Sequence, residues 1–280
     1  MKKTKLKFGV IGSGSWGTAL IKILSENNDE INWYIRNKDN IDCISKNSHN
    51  PNYLSSVKLK LKKIKISENI NDVVSNSDVI IIAVPSEYVN KEMKKIEVDI
   101  SDKIIICALK GLVPETNLLF GEHMQKHYNV SIDNFLVIGG PCHAEEVALE
   151  KLSYLTIGSS NLSLCKLISA KFKCKYINVK ASDDVIGIEY ASMLKNIFAL
   201  AVGISNGLGY GDNYQSVLVS NSIKEMKRFI SKRHKIKRNI NNSAYLGDLL
   251  VTGYSSFSRN RMFGNMIGKG YTVRAAQLEM

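Results

Sequence analysis

Apolar residues along this chain fall into short continuous runs, separated by stretches in which apolar positions repeat with a helical period. Phe8–Ile11, Ile31–Ile35, Asp78–Val84, Lys103–Ala108 and Phe135–Ile138 are such runs. Short apolar runs that alternate with helical segments are typical of a parallel sheet with helices on both faces. The first two thirds of the chain therefore predict an α/β fold.

The turn after the first predicted strand carries glycines in the spacing G-x-G-x-x-G. Gly12, Gly14 and Gly17 lie between the apolar run and a helical pattern that begins at Thr18. In such a turn the first glycine permits the tight bend, the second lets the backbone approach a pyrophosphate, and the third lets the helix pack on the strand. Backbone N–H groups and the helix dipole then hold the anion. We predict a dinucleotide site here rather than a merely structural turn.

The residue after the second predicted strand bears on the choice of cofactor. Sites that select NAD usually place Asp or Glu there to bind the ribose hydroxyls. This chain has Arg36 instead, and a guanidinium suits the 2′-phosphate of NADP. The alternative is a solvated arginine at a strand end. NADP is favoured, and NAD stays open.

Near residue 181 the strand signals fade and helical periodicity takes over. Asp183–Gly203 predicts the strongest helix of the chain, apolar on almost every face and therefore buried. We expect residues 1–180 to form a Rossmann-type dinucleotide-binding domain and residues 181–280 to form an all-α substrate and catalytic domain.

Lys195 lies in the middle of that apolar helix. Desolvating a lysine is costly, so it either has a partner and a task such as acid–base catalysis, or reaches solvent along the helix edge. The helix alone leaves both interpretations open. Further on, Gly247-Asp248 opens another apolar helix, and Ser258-Arg259-Asn260-Arg261 groups hydroxyl, guanidinium and amide donors suited to an anion.

The net charge of +12 is compatible with nucleic acid, an acidic membrane surface or anionic small molecules. The densest basic run, Lys224–Arg238, has Phe229 as its one aromatic residue and offers little for base stacking. We interpret it as a solvated helix face and loop, and expect no nucleic-acid partner.

The apolar runs and the cysteines bear on the cellular compartment of the protein and on whether it binds a metal. No run is long and apolar enough to suggest an integral membrane segment, and Gly12 interrupts the N-terminal apolar stretch too early for a signal peptide. The five cysteines are scattered, without metal-ligand spacing to the five histidines. We expect a cytoplasmic protein without a metal site.

Eight short segments occur in order along essentially the whole chain. They are GSGSWGTAL (12–20), NPNYL (50–54), AVPS (83–86), KGLVPET (110–116), GPCHAEEVA (140–148), GIEYASMLKNIFALAVG (187–203), GDLLVT (247–252) and SRNRMFG (258–264). Together they make the chain resemble the bacterial NAD(P)-dependent glycerol-3-phosphate dehydrogenases. The resemblance implies reversible reduction of dihydroxyacetone phosphate to sn-glycerol 3-phosphate. This product supplies phospholipid synthesis. The resemblance is also compatible with a homodimer.

The resemblance also implies roles for residues that match the family's motifs. Lys195 would donate the proton, Lys110 would polarise the carbonyl, and Asp248 would orient Lys195. The implied substrate-binding residues are Lys110, Gly140, Cys142, Lys195, Asp248, Ser258, Arg259 and Asn260. The implied cofactor-binding residues are Gly12, Gly14, Ser15, Trp16, Gly17, Arg36, Tyr53, Lys110, Ala144 and Arg259.

Three departures from the family pattern stand out. Cys142 replaces the usual serine, the glycine-rich lead into Gly247 is reduced to Ala244-Tyr245-Leu246, and the chain stops at Met280, where family members typically continue. The C-terminal domain is therefore expected to be truncated. The sequence leaves two alternatives to an active dehydrogenase of this family: a non-catalytic dinucleotide-binding remnant, and a related two-domain hydroxy-acid dehydrogenase.

Overall fold

A computed structural model describes residues 6–280 of the chain. The chain divides into two compact units. The first consists of the described residues up to Ile138 together with Cys142–Val185, and the second of Gly139–Pro141 and Ile186–Met280. The domain boundary predicted between residues 180 and 181 stays a prediction, and the basic residues before Leu6 lie outside the described part.

The first unit is built on an eight-stranded sheet with the strand order β3-β2-β1-β4-β5-β6-β7-β8. The strands are β1 (Phe8–Ile11), β2 (Ile31–Tyr34), β3 (Ile64–Ser67), β4 (Val79–Ile82), β5 (Ile104–Cys107), β6 (Phe135–Gly139), β7 (Ser153–Gly158) and β8 (Ile177–Ser182). β1 pairs in parallel with β2 and β4, and Val10 lies opposite Trp33 and Ile81 in register. The predicted Rossmann-type fold is confirmed.

The apolar runs revealed the five strands β1, β2, β4, β5 and β6 but not β3, β7 and β8. In β3 the exposed Lys65 lies between isoleucines, and in β8 polar side chains interrupt the apolar ones. β3 and β8 are partly exposed, so their sequences lack the continuous apolar run of a strand covered on both faces. β7 is buried apart from Tyr154, but Ser153 and Thr156 interrupt its apolar sequence.

Helices cover the sheet and form most of the second unit. Those before Val185 are α1 (Ser15–Asn27), α2 (Lys38–Asn47), α3 (Ile70–Ser75), α4 (Ser86–Met93), α5 (Phe120–Tyr128), α6 (Ala144–Ala148) and α7 (Leu162–Phe172). The later ones are α8 (Val185–Gly207), α9 (Asp212–Arg233), α10 (Asp248–Tyr254), α11 (Arg259–Gly268) and α12 (Val273–Leu278). The predicted all-α character of this region is confirmed.

The core of the first unit fixes the start of α1 against the sheet. Phe8 and Val10 of β1 are fully buried together with Leu20 and Leu24 of α1 and Trp33 of β2. Burial of side chains of this size contributes about 1.5–3 kcal/mol each. The strand end and the helix start that flank the glycine turn are thus held by apolar packing on both sides.

Helix α8 is the buried apolar helix that the sequence predicted, although it begins two residues later and continues to Gly207. Within the described residues it is the one helix long and apolar enough to cross a membrane, and 67% of its most apolar window is buried inside the protein. Such burial is typical of the core helix of a globular domain, so its length and composition are weak evidence for a membrane span.

Stability at acidic pH is expected to depend on His123 of α5. Its side chain is buried beside His127, and neither ring nitrogen has a hydrogen-bond partner among the described residues. Burial, and then the charge of His127, lower its pKa from 6.5, against a smaller opposing effect of Glu115. The unfolded chain therefore takes up this proton first as the pH falls.

The stabilisation from neutral His123 is present above pH 6.5 and is lost as the pH falls through the lowered pKa. Urea unfolding at a series of pH values from about 7.5 to about 5 measures the slope of the free energy of unfolding against pH on both sides of the ordinary histidine pKa. In His123→Phe the slope should be smaller. An unchanged slope would show that another group carries it.

Candidate active site

The glycine turn joins β1 to α1 with the backbone geometry of a phosphate-binding loop. Gly12 has φ = +125°, where a Cβ would collide with the carbonyl of Ala83, and a Cβ at Gly17 would collide with the carbonyl oxygen of Gly12. At Gly14 a Cβ would meet nothing within 4 Å, so the backbone here borders open space. α1 begins after Gly14 without a side-chain cap, which leaves its first N–H groups suited to an anion. The turn therefore fits the pyrophosphate of a dinucleotide.

Two buried side chains that the site predictions did not include support this turn by hydrogen bonds to its backbone. The Asn50 side chain donates to the carbonyl of Ser13 at 3.0 Å and to Thr18 Oγ1 at 2.9 Å, and its oxygen accepts from the N–H of Tyr53 at 3.3 Å. Trp33 Nε1 donates to the carbonyl of Gly12 at 3.0 Å. Asn50 opens the NPNYL segment, but local sequence gave no sign that it contacts the turn.

Replacing Asn50 by alanine should loosen the turn. The substitution leaves buried polar groups unpaired, so we expect the free energy of unfolding to fall by about 1–3 kcal/mol and the cofactor to bind more weakly. Urea denaturation and calorimetric titration with NADPH measure the two effects. The control is Asn52→Ala at an exposed position nearby, and equal effects of both substitutions would contradict the buttressing role.

The remaining predicted cofactor residues of the first unit lie in several places. Ser15 and Trp16 occupy the first turn of α1, and Lys110 Nζ lies 5.9 Å from the centre of the Trp16 ring. Arg36 is exposed beyond the end of β2, and Tyr53 is 44% exposed. Cys142 and Ala144, at the start of α6, are buried. The structure thus brings Lys110 to the glycine turn.

In the second unit, the structure brings Lys195 and Asp248 together across 53 positions of sequence. Lys195 Nζ donates to Asp248 Oδ1 at 2.5 Å, and the two side chains are 5% and 3% exposed. Lys195 therefore does not reach solvent along the helix edge. The N–H of Gly140 donates to the other carboxylate oxygen of Asp248 at 3.3 Å. A lysine held in this way, away from water, can exchange a proton with a substrate oxygen.

A turn of π-helix places the carboxylate of Asp248. Ser243–Gly247 forms this turn, and α10 follows directly with Asp248 as its first residue. The Thr252 hydroxyl donates to the carbonyl of Asp248 at 2.6 Å one turn later. π turns occur frequently at functional sites. The reduced lead into Gly247 is therefore an ordered turn that presents Asp248 to Lys195.

The anion-binding segment predicted from the sequence opens α11. Ser258 is buried and caps the helix, accepting from the N–H of Arg261 at 3.3 Å. Arg259 and Asn260 follow in the first turn and are exposed. The helix dipole and the Arg259 guanidinium both favour an anion at this end.

Contacts at glycines set the height of α11 against α8. A Cβ at Gly264 would collide with the carbonyl oxygen of Leu200, and one at Gly268 with that of Ile204. The contacts advance four residues on both helices, so the helices run parallel. Lys195 and Arg259 each lie five residues before the Leu200–Gly264 contact. The contacts of Gly203 with the carbonyl oxygen of Arg261 and of Gly207 with that of Asn265 differ from these in register by six residues, so Arg259 lies within about 9 Å of the level of Lys195 along the helices.

The described residues contain neither a group of three or more potential metal-ligating His, Cys, Asp or Glu side chains nor a disulfide. The two units together carry an anion-binding glycine turn on a parallel sheet, a buried lysine–aspartate pair, and a cationic start of α11. This combination defines the class of nicotinamide-dependent dehydrogenases that act on anionic substrates.

Comparison with known proteins narrows this class. Residues 7–165 match the family model of the NAD-dependent glycerol-3-phosphate dehydrogenase N-terminus, and residues 184–280 match that of its C-terminus. The chain belongs to the NAD-dependent glycerol-3-phosphate dehydrogenase family. It is therefore an oxidoreductase that uses NAD or NADP.

Individual relatives agree with this placement. Glycerol-3-phosphate dehydrogenase [NAD(P)+] of Macrococcus caseolyticus is 35% identical over 277 residues, which cover 98% of this chain and 83% of that protein. The Bacillus subtilis enzyme of the same name is 34% identical over 276 residues, covering 98% and 80%. The crystal structure of glycerol-3-phosphate dehydrogenase from Coxiella burnetii superposes with a TM-score of 0.88 at 28% identity, covering 98% of this chain and 84% of that one.

Proposed function

We propose that this chain catalyses the reversible reduction of dihydroxyacetone phosphate to sn-glycerol 3-phosphate with NADPH or NADH. The observation that carries the proposal is the buried pair of Lys195 and Asp248, which belongs to a chain of this family. A lysine–aspartate pair without solvent access is costly unless its partners satisfy each other. A task in proton transfer accounts for the burial of this charged pair in the helical unit.

In this proposal Lys195 holds and moves the proton. Its Nζ donates a proton to the carbonyl oxygen of the substrate during reduction and takes it back in the reverse reaction. Asp248 keeps Nζ in place through the 2.5 Å contact and stabilises the ammonium, while the N–H of Gly140 fixes the carboxylate. When bound, the reduced nicotinamide supplies the hydride.

The phosphate of the substrate is assigned to the start of α11. Arg259 offers a planar pair of donors, and the N–H groups at the helix start add partial positive charge. Because Lys195 and Arg259 lie in the parts of α8 and α11 that precede the same glycine contacts, one small molecule can present its phosphate to α11 and its carbonyl to Nζ. Ser258, Asn260, Lys110 and Cys142 are assigned to substrate binding on the family resemblance.

Further parts of the proposal concern the cell. We assign the enzyme to the cytoplasm, its product to phospholipid synthesis, and its subunits to a homodimer, in line with its family and its scattered cysteines. The exposed Arg36 supports a preference for NADP.

A spectrophotometric assay of the purified 280-residue chain tests the reaction. Dihydroxyacetone phosphate should cause oxidation of NADPH and, in a parallel sample, of NADH, and the ratio of the rates reports the cofactor preference. Turnover with neither cofactor, although both bind, would overturn the proposal and favour a dinucleotide-binding protein without catalysis.

A further inference from the structure

A cluster of charged side chains lies near the end of β2, and of its members only Arg36 belongs to the predicted cofactor site. Glu92 of α4 is the centre of this cluster, and its side chain is 6% exposed. Lys95 Nζ donates to both oxygens of Glu92, at 2.9 and 2.8 Å. Tyr34 also donates to Glu92, at 3.3 Å, and Lys95 Nζ lies 3.4 Å from the Tyr34 hydroxyl. Arg36 Nη1 stands 3.9 Å from Glu92 with its side chain 73% exposed.

The cluster lies where dinucleotide folds distinguish their cofactors. Tyr34 is the last residue of β2 and pairs with Ser67, the last residue of β3. Asn71 of α3 donates to the carbonyl of Lys95 at 3.1 Å and so holds the end of α4 against this edge. In Rossmann-type folds, the residues after β2 receive the ribose hydroxyls of NAD or the 2′-phosphate of NADP.

The two cations are held by Glu92 to very different degrees. Lys95 makes short contacts with both carboxylate oxygens. Burial opposes the charged form of Lys95, but the hydrogen bonds to Glu92 and Tyr34 outweigh it and raise its pKa. Arg36 Nη1 lies 3.9 Å from the carboxylate, near the longest distance of an ion pair, and the Arg36 side chain is mostly exposed to solvent. Lys95 therefore neutralises Glu92, and the arginine can turn towards another anion at little cost.

We infer that Glu92 and Lys95 together determine the choice between NADP and NAD at this site. With Lys95 present, the cluster has a net charge of about +1 and accepts the 2′-phosphate through Arg36. Without Lys95, Glu92 would be a bare carboxylate that repels the phosphate and accepts a hydrogen bond from a ribose hydroxyl, as in NAD-selective sites. The inference rests on the dinucleotide-binding role of the first unit within the proposed function.

Two substitutions at this cluster should shift cofactor choice in opposite directions. In Lys95→Met the dissociation constant of NADPH should rise about tenfold, with that of NADH unchanged or lower. In Glu92→Gln, which keeps the size and one acceptor oxygen for Tyr34 and Lys95 but removes the negative charge, NADPH should bind more tightly relative to NADH. Isothermal titration calorimetry with each cofactor alone measures these constants.

Matched variants separate this role from a structural one. Lys94→Met removes an exposed lysine one position earlier and should leave the NADPH to NADH ratio unchanged, while the double variant Glu92→Gln/Lys95→Met should return towards the wild-type ratio. Loss of affinity for both cofactors to the same extent in both single variants, or an unchanged ratio, would overturn the inference. Because the titrations contain no dihydroxyacetone phosphate, their outcome is independent of whether the proposed reduction takes place.

Discussion

Replacing Lys195 by methionine is expected to lower kcat for dihydroxyacetone phosphate about 10²–10⁴-fold, the usual contribution of a positioned acid–base group. Methionine retains most of the side-chain volume on α8 but cannot donate a proton. The glycine turn is untouched, so the dissociation constant of the cofactor should be nearly unchanged. Steady-state kinetics and calorimetric titration with NADPH measure the two quantities. Retained turnover would remove Lys195 from the chemistry.

The lysine also stabilises the fold, and this has to be separated from catalysis. Lys195→Met leaves the buried Asp248 carboxylate without its cation, and breaking a buried pair in this way costs about 3–5 kcal/mol. The double variant Lys195→Met/Asp248→Asn removes both charges and should regain much of the free energy of unfolding, while turnover stays low. If turnover returned with stability, the pair would have a structural role.

Replacing Arg259 by alanine should raise the KM for dihydroxyacetone phosphate about 10–100-fold. A hydrogen bond to a charged group contributes about 1.5–3 kcal/mol. Each loss of about 1.4 kcal/mol weakens binding tenfold. Initial rates over a range of substrate concentrations give KM and kcat separately. An unchanged KM would mean that another residue holds the phosphate.

Two comparisons make the test of Arg259 specific. Arg274→Ala, at an exposed arginine of α12, removes the same net charge and should leave KM nearly unchanged. Dihydroxyacetone without phosphate should be reduced slowly, at the same rate by the wild type and by Arg259→Ala, because the lost contact involves the phosphate alone. A slower rate of the variant with this substrate would place Arg259 at the carbonyl instead.

Short-range pattern in the sequence determined the fold class and the dinucleotide turn. Continuous apolar runs identify strands buried on both faces, and glycine at positions 12, 14 and 17 reports a turn with a particular backbone and open space beside it. These features depend on local sterics and on burial of adjacent residues. The partly exposed β3 and β8 lacked such a signal, so the sequence did not reveal them.

Only the tertiary structure decided which distant side chains meet. Asp248 lies against Lys195 after a π turn that leads into α10, Asn50 supports the glycine turn, and Glu92 joins Lys95 to the end of β2. The level of α11 against α8 follows from glycine contacts between the two helices. The sequence by itself determined the elements, their class and the motifs. Pairings between elements depend on topology and packing, which local periodicity does not encode.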